Sequence, residues 1–131
     1  MKKLILHIED NTNVQEVMCG ICALIPDVEL ISRDTASSGV ETYLNAVRQG
    51  RKPDLIIIDG MLGDTSGWHI IDLLLHAQWG ELPPVLAYVG ELDEEREGQW
   101  HTVGVTEIIK KPSGVQTLVA TITRLLAAPT A

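Results

Sequence analysis

Pro53-Asp54-Leu55-Ile56-Ile57-Ile58-Asp59-Gly60 places four apolar residues, three of them β-branched, between a proline turn and one aspartate. A run this short, followed by glycines at 60, 63 and 67, reads as a strand buried on both faces, the kind found inside a parallel sheet. Asp59 then stands at the carboxyl end of a central strand, the edge at which open α/β sheets bind ligands. Aspartates also end strands as plain loop caps, so Asp59 gains its weight from its company elsewhere in the chain.

Upstream, residues 3–8 read as a first strand running into Glu9-Asp10-Asn11. Val14, Val17, Met18, Ile21 and Ile25 then recur at helical spacing until Pro26-Asp27. Residues 28–32 alternate more and are expected at a sheet edge. A second helix follows, with Ser37 or Ser38 as its cap, Val40, Tyr43, Leu44 and Val47 as its apolar side, and Gly50 as its stop. Downstream of Asp59, residues 60–67 form a loop rich in glycine and hydroxyls. Ser66 can cap a third helix carrying Ile70, Ile71, Leu74 and Leu75, which Gly80 ends. Residues 85–89 are a fourth buried strand. Residues 91–100 are a short acidic helix whose thin apolar face and Gly98 predict mobility. Residues 106–109 are a fifth strand, closed by Lys110-Lys111-Pro112. Val115, Leu118, Val119, Ile122, Leu125 and Leu126 make the most regular amphipathic helix. Five strand–helix alternations predict an α/β, doubly wound parallel sheet with helices on both faces. Residues 1–131 read as a single domain, with 127–131 as a tail or the stub of a linker.

The 131 residues are 45% apolar, enough for a real core, and no stretch approaches a membrane span. Met-Lys-Lys before Leu4 suggests a secretory leader, but His7, Glu9 and Asp10 interrupt it too early, so a cytoplasmic protein is expected. A net charge of −8 without a Lys/Arg cluster argues against nucleic-acid binding by this domain and fits an acidic surface or a cation site. Cys19 and Cys22 have no second pair to complete a zinc site and lie mid-helix, which favours small packing residues over redox chemistry.

In a parallel sheet every carboxyl end lies on one edge. That edge collects Glu9, Asp10, Asp59 and Lys111 from distant parts of the chain, with Pro112 fixing the direction of the chain at the lysine. Adjacent carboxylates repel, and a hard divalent cation with oxygen ligands offsets that repulsion. A carboxylate can also be a nucleophile toward phosphorus, and phosphoryl transfer needs positive charge around the equatorial oxygens. A cation held by Asp10, Asp59 and the Met61 carbonyl, with Lys111 as a point charge, would provide it.

Glu9-Asp10, the aspartate ending Asp54-Leu55-Ile56-Ile57-Ile58-Asp59, Gly67 eight residues later and Lys111-Pro112 together resemble the receiver domain of bacterial response regulators. The resemblance covers essentially the whole chain. It implies a flavodoxin-like sheet of five strands in the order 2-1-3-4-5 with five helices. It further implies Asp59 as phosphoacceptor, Lys111 as phosphate contact, and Glu9, Asp10, Asp59 and the Met61 carbonyl as a Mg2+ site. The donor would be a sensor histidine kinase or phosphotransfer protein, and an unknown downstream protein would read the result. The resemblance also implies that the chain is no enzyme beyond its own phosphorylation and dephosphorylation, and that the fourth helix, fifth strand and fifth helix form a partner surface or weak homodimer surface.

Three positions depart from the family pattern. Val89 stands where Thr or Ser is usual, Ile108 where Tyr or Phe is usual, and Gly63 where proline is common, which is expected to loosen its loop. Tyr88 is no substitute, because a one-residue shift turns a strand side chain to the other face. Two readings stay open: a phosphoacceptor that transmits differently, or a receiver-like binding module that works without phosphorylation. A flavodoxin-like flavin protein is disfavoured, since Glu9-Asp10 would repel an anionic phosphate. A haloacid-dehalogenase-type phosphatase needs a second acid where Met61 stands.

Overall fold

All four side chains of Leu55-Ile56-Ile57-Ile58 are fully buried. The computed structural model describes residues 2–77 and 81–127. Its strands are β1 (Lys3–Ile8), β2 (Val28–Arg33), β3 (Leu55–Ile58), β4 (Met61–Leu62), β5 (Thr65–Ser66), β6 (Val85–Val89) and β7 (Glu107–Lys110). The helices are α1 (Thr12–Cys22), α2 (Ala36–Arg48), α3 (Gly67–His76), α4 (Glu94–Thr102) and α5 (Val115–Leu126). Five strands pair in parallel in the order β2-β1-β3-β6-β7, the expected order once the two-residue strands are set aside. β2 is an edge strand, half-buried along most of its length.

Alternation along the strands splits the core in two. Ile5, Leu55, Ile57, Leu86 and Tyr88 face α1 and α5, meeting Met18, Ile21, Leu118 and Ile122. Leu6, Ile8, Ile56, Ile58, Ala87 and Val89 face α2, α3 and α4, meeting Tyr43, Ile70, Ile71 and Trp100. Each of the buried Leu, Ile, Val and Met side chains contributes roughly 1.5–3 kcal/mol. The Asp54 carboxylate accepts from the Leu4 N–H at 2.8 Å, tying the entries of β1 and β3 together.

Local differences have local causes. α1 ends at Cys22, ahead of Pro26; Ala23 caps it and Asp27 takes a positive φ of 60°. Ile25 is nevertheless buried. α2 is capped by Thr35 rather than Ser37 or Ser38, with Ser38 completing a capping box from the third helical position. Ser66 sits at the N-cap of α3 without a side-chain cap bond. α4 starts at Glu94 because Asp93 accepts from the Arg96 N–H, and β7 begins one residue later than expected. The loop after Asp59 forms a short hairpin. Gly63 opens its turn at φ 68°, a conformation that costs glycine little. Cys22 is buried and its thiol is pushed up to about 11 by burial, whereas Cys19 is exposed and does not pack as expected. The expected stop at Gly80 and the tail from 128 onward lie outside the described residues.

Candidate functional site

Strand register delivers the site. Ile8 pairs with Ile58, and the Asp59 N–H donates to the Ile8 carbonyl at 3.1 Å, so Glu9 and Asp59 leave the sheet side by side. The Lys111 N–H donates to the Val89 carbonyl at 2.6 Å, which carries the β6–β7 pairing one residue further. Glu9, Asp59 and Lys111 continue the alternation that faces α1 and α5.

The side chains converge. Lys111 Nζ donates to Glu9 Oε1 at 2.6 Å and to Asp59 Oδ1 at 3.0 Å. It also stands 5.6 Å from the centre of the Tyr88 ring. The Gly60 N–H donates to the same Asp59 Oδ1 at 2.7 Å. Oδ2 accepts no hydrogen bond among the described residues. Asn11 N–H donates to Glu9 Oε2 at 3.2 Å, and Gly63 N–H donates to Asp10 Oδ2 at 3.4 Å. One carboxylate oxygen from each of Glu9, Asp10 and Asp59 lies within 4.8 Å of the others, with Glu9 buried and Asp10 exposed. Three hard oxygen donors at that spacing suit a small divalent cation. Met61 follows on β4.

Burial pushes the Glu9 carboxyl up to about 7; the Lys111 hydrogen bond pulls it down, and the neighbouring Asp59 adds to the rise. For Lys111 burial pulls down, but the hydrogen bonds and charges of Glu9 and Asp59 outweigh it and raise the pKa. Beneath the site His7 is buried, with Nδ1 3.3 Å from Ser32 Oγ. Burial and the Lys111 charge lower it to about 4, against an opposing pull from Asp59. The imidazole is therefore neutral at pH 7.

Reading the sequence misses one part of the site. Asp59 and Lys111 open onto a cavity of about 370 Å³ whose far wall is Trp68, Arg96 and Trp100. The two indoles meet edge to face, with centroids 5.7 Å apart. Arg96 is held by Glu91 at 3.1 Å and by the Asp93 carboxylate. A tryptophan in an otherwise polar, acidic helix was the available signal.

The family described as response regulator receiver domain matches residues 5–123. The chain belongs to that family. Two curated relatives are the phosphate regulon transcriptional regulatory protein PhoB of Pseudomonas aeruginosa, 29% identical over 127 residues, and that of Klebsiella pneumoniae, 30% identical over 124 residues. These alignments cover 95% and 93% of this chain but 52% and 51% of the relatives, so the chain spans about half their length. Among solved structures, the non-phosphorylated HemR receiver domain of Leptospira biflexa superposes with a TM-score of 0.84 at 18% identity, covering 99% of this chain and 98% of that one. The chemotaxis protein CheY4 of Vibrio cholerae gives 0.81 at 18% identity, covering 95% and 99%. These likenesses establish the fold.

In this receiver domain Val89 is fully buried and Ile108 packs against the same apolar cluster, both on the side of the sheet that faces α2, α3 and α4. Tyr88 lies on the opposite side, and its hydroxyl accepts from the Ser113 N–H at 3.4 Å. Among the described residues no helix is long and apolar enough to cross a membrane.

Proposed function

We propose that this receiver domain accepts a phosphoryl group on Asp59 from a phosphohistidine of a sensor kinase or phosphotransfer protein. The observation that carries the reading is the Lys111 ammonium bound at once to Asp59 and buried Glu9 beside an open cavity. That geometry fixes a cation where charge develops on the transferring group. Lys111 and the Gly60 N–H both hold Oδ1, which orients the carboxylate and leaves Oδ2 to attack phosphorus. An O–P bond forms, the donor's N–P bond breaks, and the imidazole leaves with the electron pair, taking up a proton.

Glu9, Asp10, Asp59 and the Met61 carbonyl would hold Mg2+, which when bound neutralises phosphoryl charge. The domain itself remains a stoichiometric acceptor, not an enzyme acting on other molecules. Its partners are the phosphodonor and a downstream protein, with self-association through α4, β7 and α5 as the remaining surface, and its setting is cytoplasmic.

Intact-protein mass after incubation with acetyl phosphate and Mg2+ tests this. One phosphoryl group should appear on the wild type and none on Asp59→Asn. Val89 and Ile108 favour a second reading, a module that binds partners without phosphorylation. Absence of an adduct, together with absence of any beryllofluoride response, would overturn the phosphoacceptor reading and leave that one.

A further inference from the structure

α4 buries one side chain, Trp100, in a helix that is otherwise polar. The indole is fully enclosed, and its Nε1–H finds no acceptor among the described residues. Buried donors are nearly always paired, and an unpaired one disfavours the arrangement that strands it.

The ring's surroundings give the orphan a meaning. Ring carbon Cη2 of Trp100 lies 2.7 Å from where a β-carbon on Gly67 would stand, and that same point is 2.1 Å from the Asp59 carbonyl oxygen. The tryptophan, the first residue of α3 and the backbone of the acceptor thus meet at a place no side chain can enter. Trp100 also lines the cavity onto which Asp59 and Lys111 open. Val89, which lacks a hydroxyl, is buried in the same apolar cluster. A phosphoryl group on Asp59 would present three charged oxygens. The donors already at Asp59 are Lys111 and the Gly60 N–H, and the residue carrying the unused donor lines the same cavity.

We propose that the Trp100 indole N–H is the hydrogen-bond donor to the phosphoryl group on Asp59, in place of a hydroxyl at position 89, and that α4 moves with it. The inference rests on Asp59 being the phosphoacceptor. A ligand shifts an equilibrium only by binding one state better, and here the better-bound state is the one in which the indole N–H is satisfied. With no other buried side chain in α4, the helix follows its tryptophan.

The test is nuclear magnetic resonance of uniformly 15N-labelled protein, which reports the indole N–H of each of its three tryptophans. Beryllofluoride with Mg2+ is the probe. The Trp100 resonance is identified by its loss in Trp100→Phe, or by elimination with Trp68→Phe and Trp79→Phe should that variant not fold. It should shift saturably with beryllofluoride and Mg2+ but not with Mg2+ alone, together with the amides of α4. Trp100→Phe, which keeps a ring and loses the donor, should weaken beryllofluoride binding roughly 10-fold or more. A Trp100 resonance that stays still while the Gly60 and Lys111 amides saturate would overturn the inference and leave the phosphoacceptor intact. No saturable shift at Gly60 or Lys111 would remove the phosphoacceptor reading, and this inference with it.

Discussion

Replacing His7 by valine should stabilise the protein in acid, relative to wild type, by about 3 kcal/mol between pH 7 and pH 4. His7 is 1% exposed, and its pKa falls from 6.5 to about 4. The unfolded chain takes up its proton below pH 6.5, whereas the folded protein waits until near pH 4. The histidine's contribution is therefore fully present above 6.5 and is lost as pH falls through 4. Over that interval of two and a half pH units, at about 1.4 kcal/mol each, the loss is about 3 kcal/mol. Glu9 runs the other way. Its pKa rises from 4.5 to about 7, so its contribution is present below 4.5 and is lost as pH rises through 7. The two slopes nearly cancel between pH 4.5 and 6.5, and wild type should look flat there. Valine is apolar, near histidine in volume and at home in a strand, and it removes only one slope. Urea unfolding followed by circular dichroism in EDTA, from pH 4.5 to 7.5, reads the difference between the two proteins, and in that difference the other carboxylates drop out. A domain of this size holds about 5–15 kcal/mol, so the change is measurable. A gap that stays constant with pH would refute the assignment of a neutral buried imidazole.

Three further outcomes follow from the site. Val89→Thr should speed formation of the acetyl phosphate adduct several-fold while lowering stability by about 1 kcal/mol, because the unphosphorylated protein buries an extra hydroxyl; mass kinetics and urea unfolding check the two halves. Lys111→Ala should cost roughly 3 kcal/mol at pH 8, where the ionised, buried Glu9 of the wild type loses its cation and must stay unpaired or take up a proton, and clearly less at pH 5, where Glu9 is already protonated; unfolding at the two pH values tests it. Gly67→Ala forces a β-carbon to within 2.1 Å of the Asp59 carbonyl oxygen, so it should destabilise by about 1–3 kcal/mol and abolish the adduct, whereas Gly20→Ala, with open space around it, should do neither.

The buried strands and the acid–lysine set were legible because both depend on simple rules. Runs such as Leu55–Ile58 declare a two-sided strand, and parallel pairing carries Glu9, Asp59 and Lys111 to one edge whatever lies between them. Element ends were less legible. Thr35 outcompeted Ser37 and Ser38 for the α2 cap because the capping box uses Thr35 and Ser38 together, a reciprocal geometry that residue type alone does not reveal. The hairpin after Asp59 was not legible either, because the positive φ at Gly63 that makes its turn shows only in the backbone. Trp100 gave only a faint signal, and His7 none, as features of the site. One sits in a helix whose composition is polar, the other in a strand whose neighbours are apolar, and only packing shows what each touches.

The sheet also separates two jobs. Glu9, Asp59 and Lys111 continue the alternation facing α1 and α5, while Val89, Ile108 and Trp100 belong to the opposite side. The border between them is one peptide unit wide. Outward-facing side chains on α2, α3 and α4 can therefore be exchanged, by evolution or by grafting from a sister protein, so long as Gly67, Trp68 and Trp100 beside the acceptor stay in place. A library diversified at those outward positions alone, with adduct formation as a constant reference, would search for new listeners while the chemistry they listen to stays fixed.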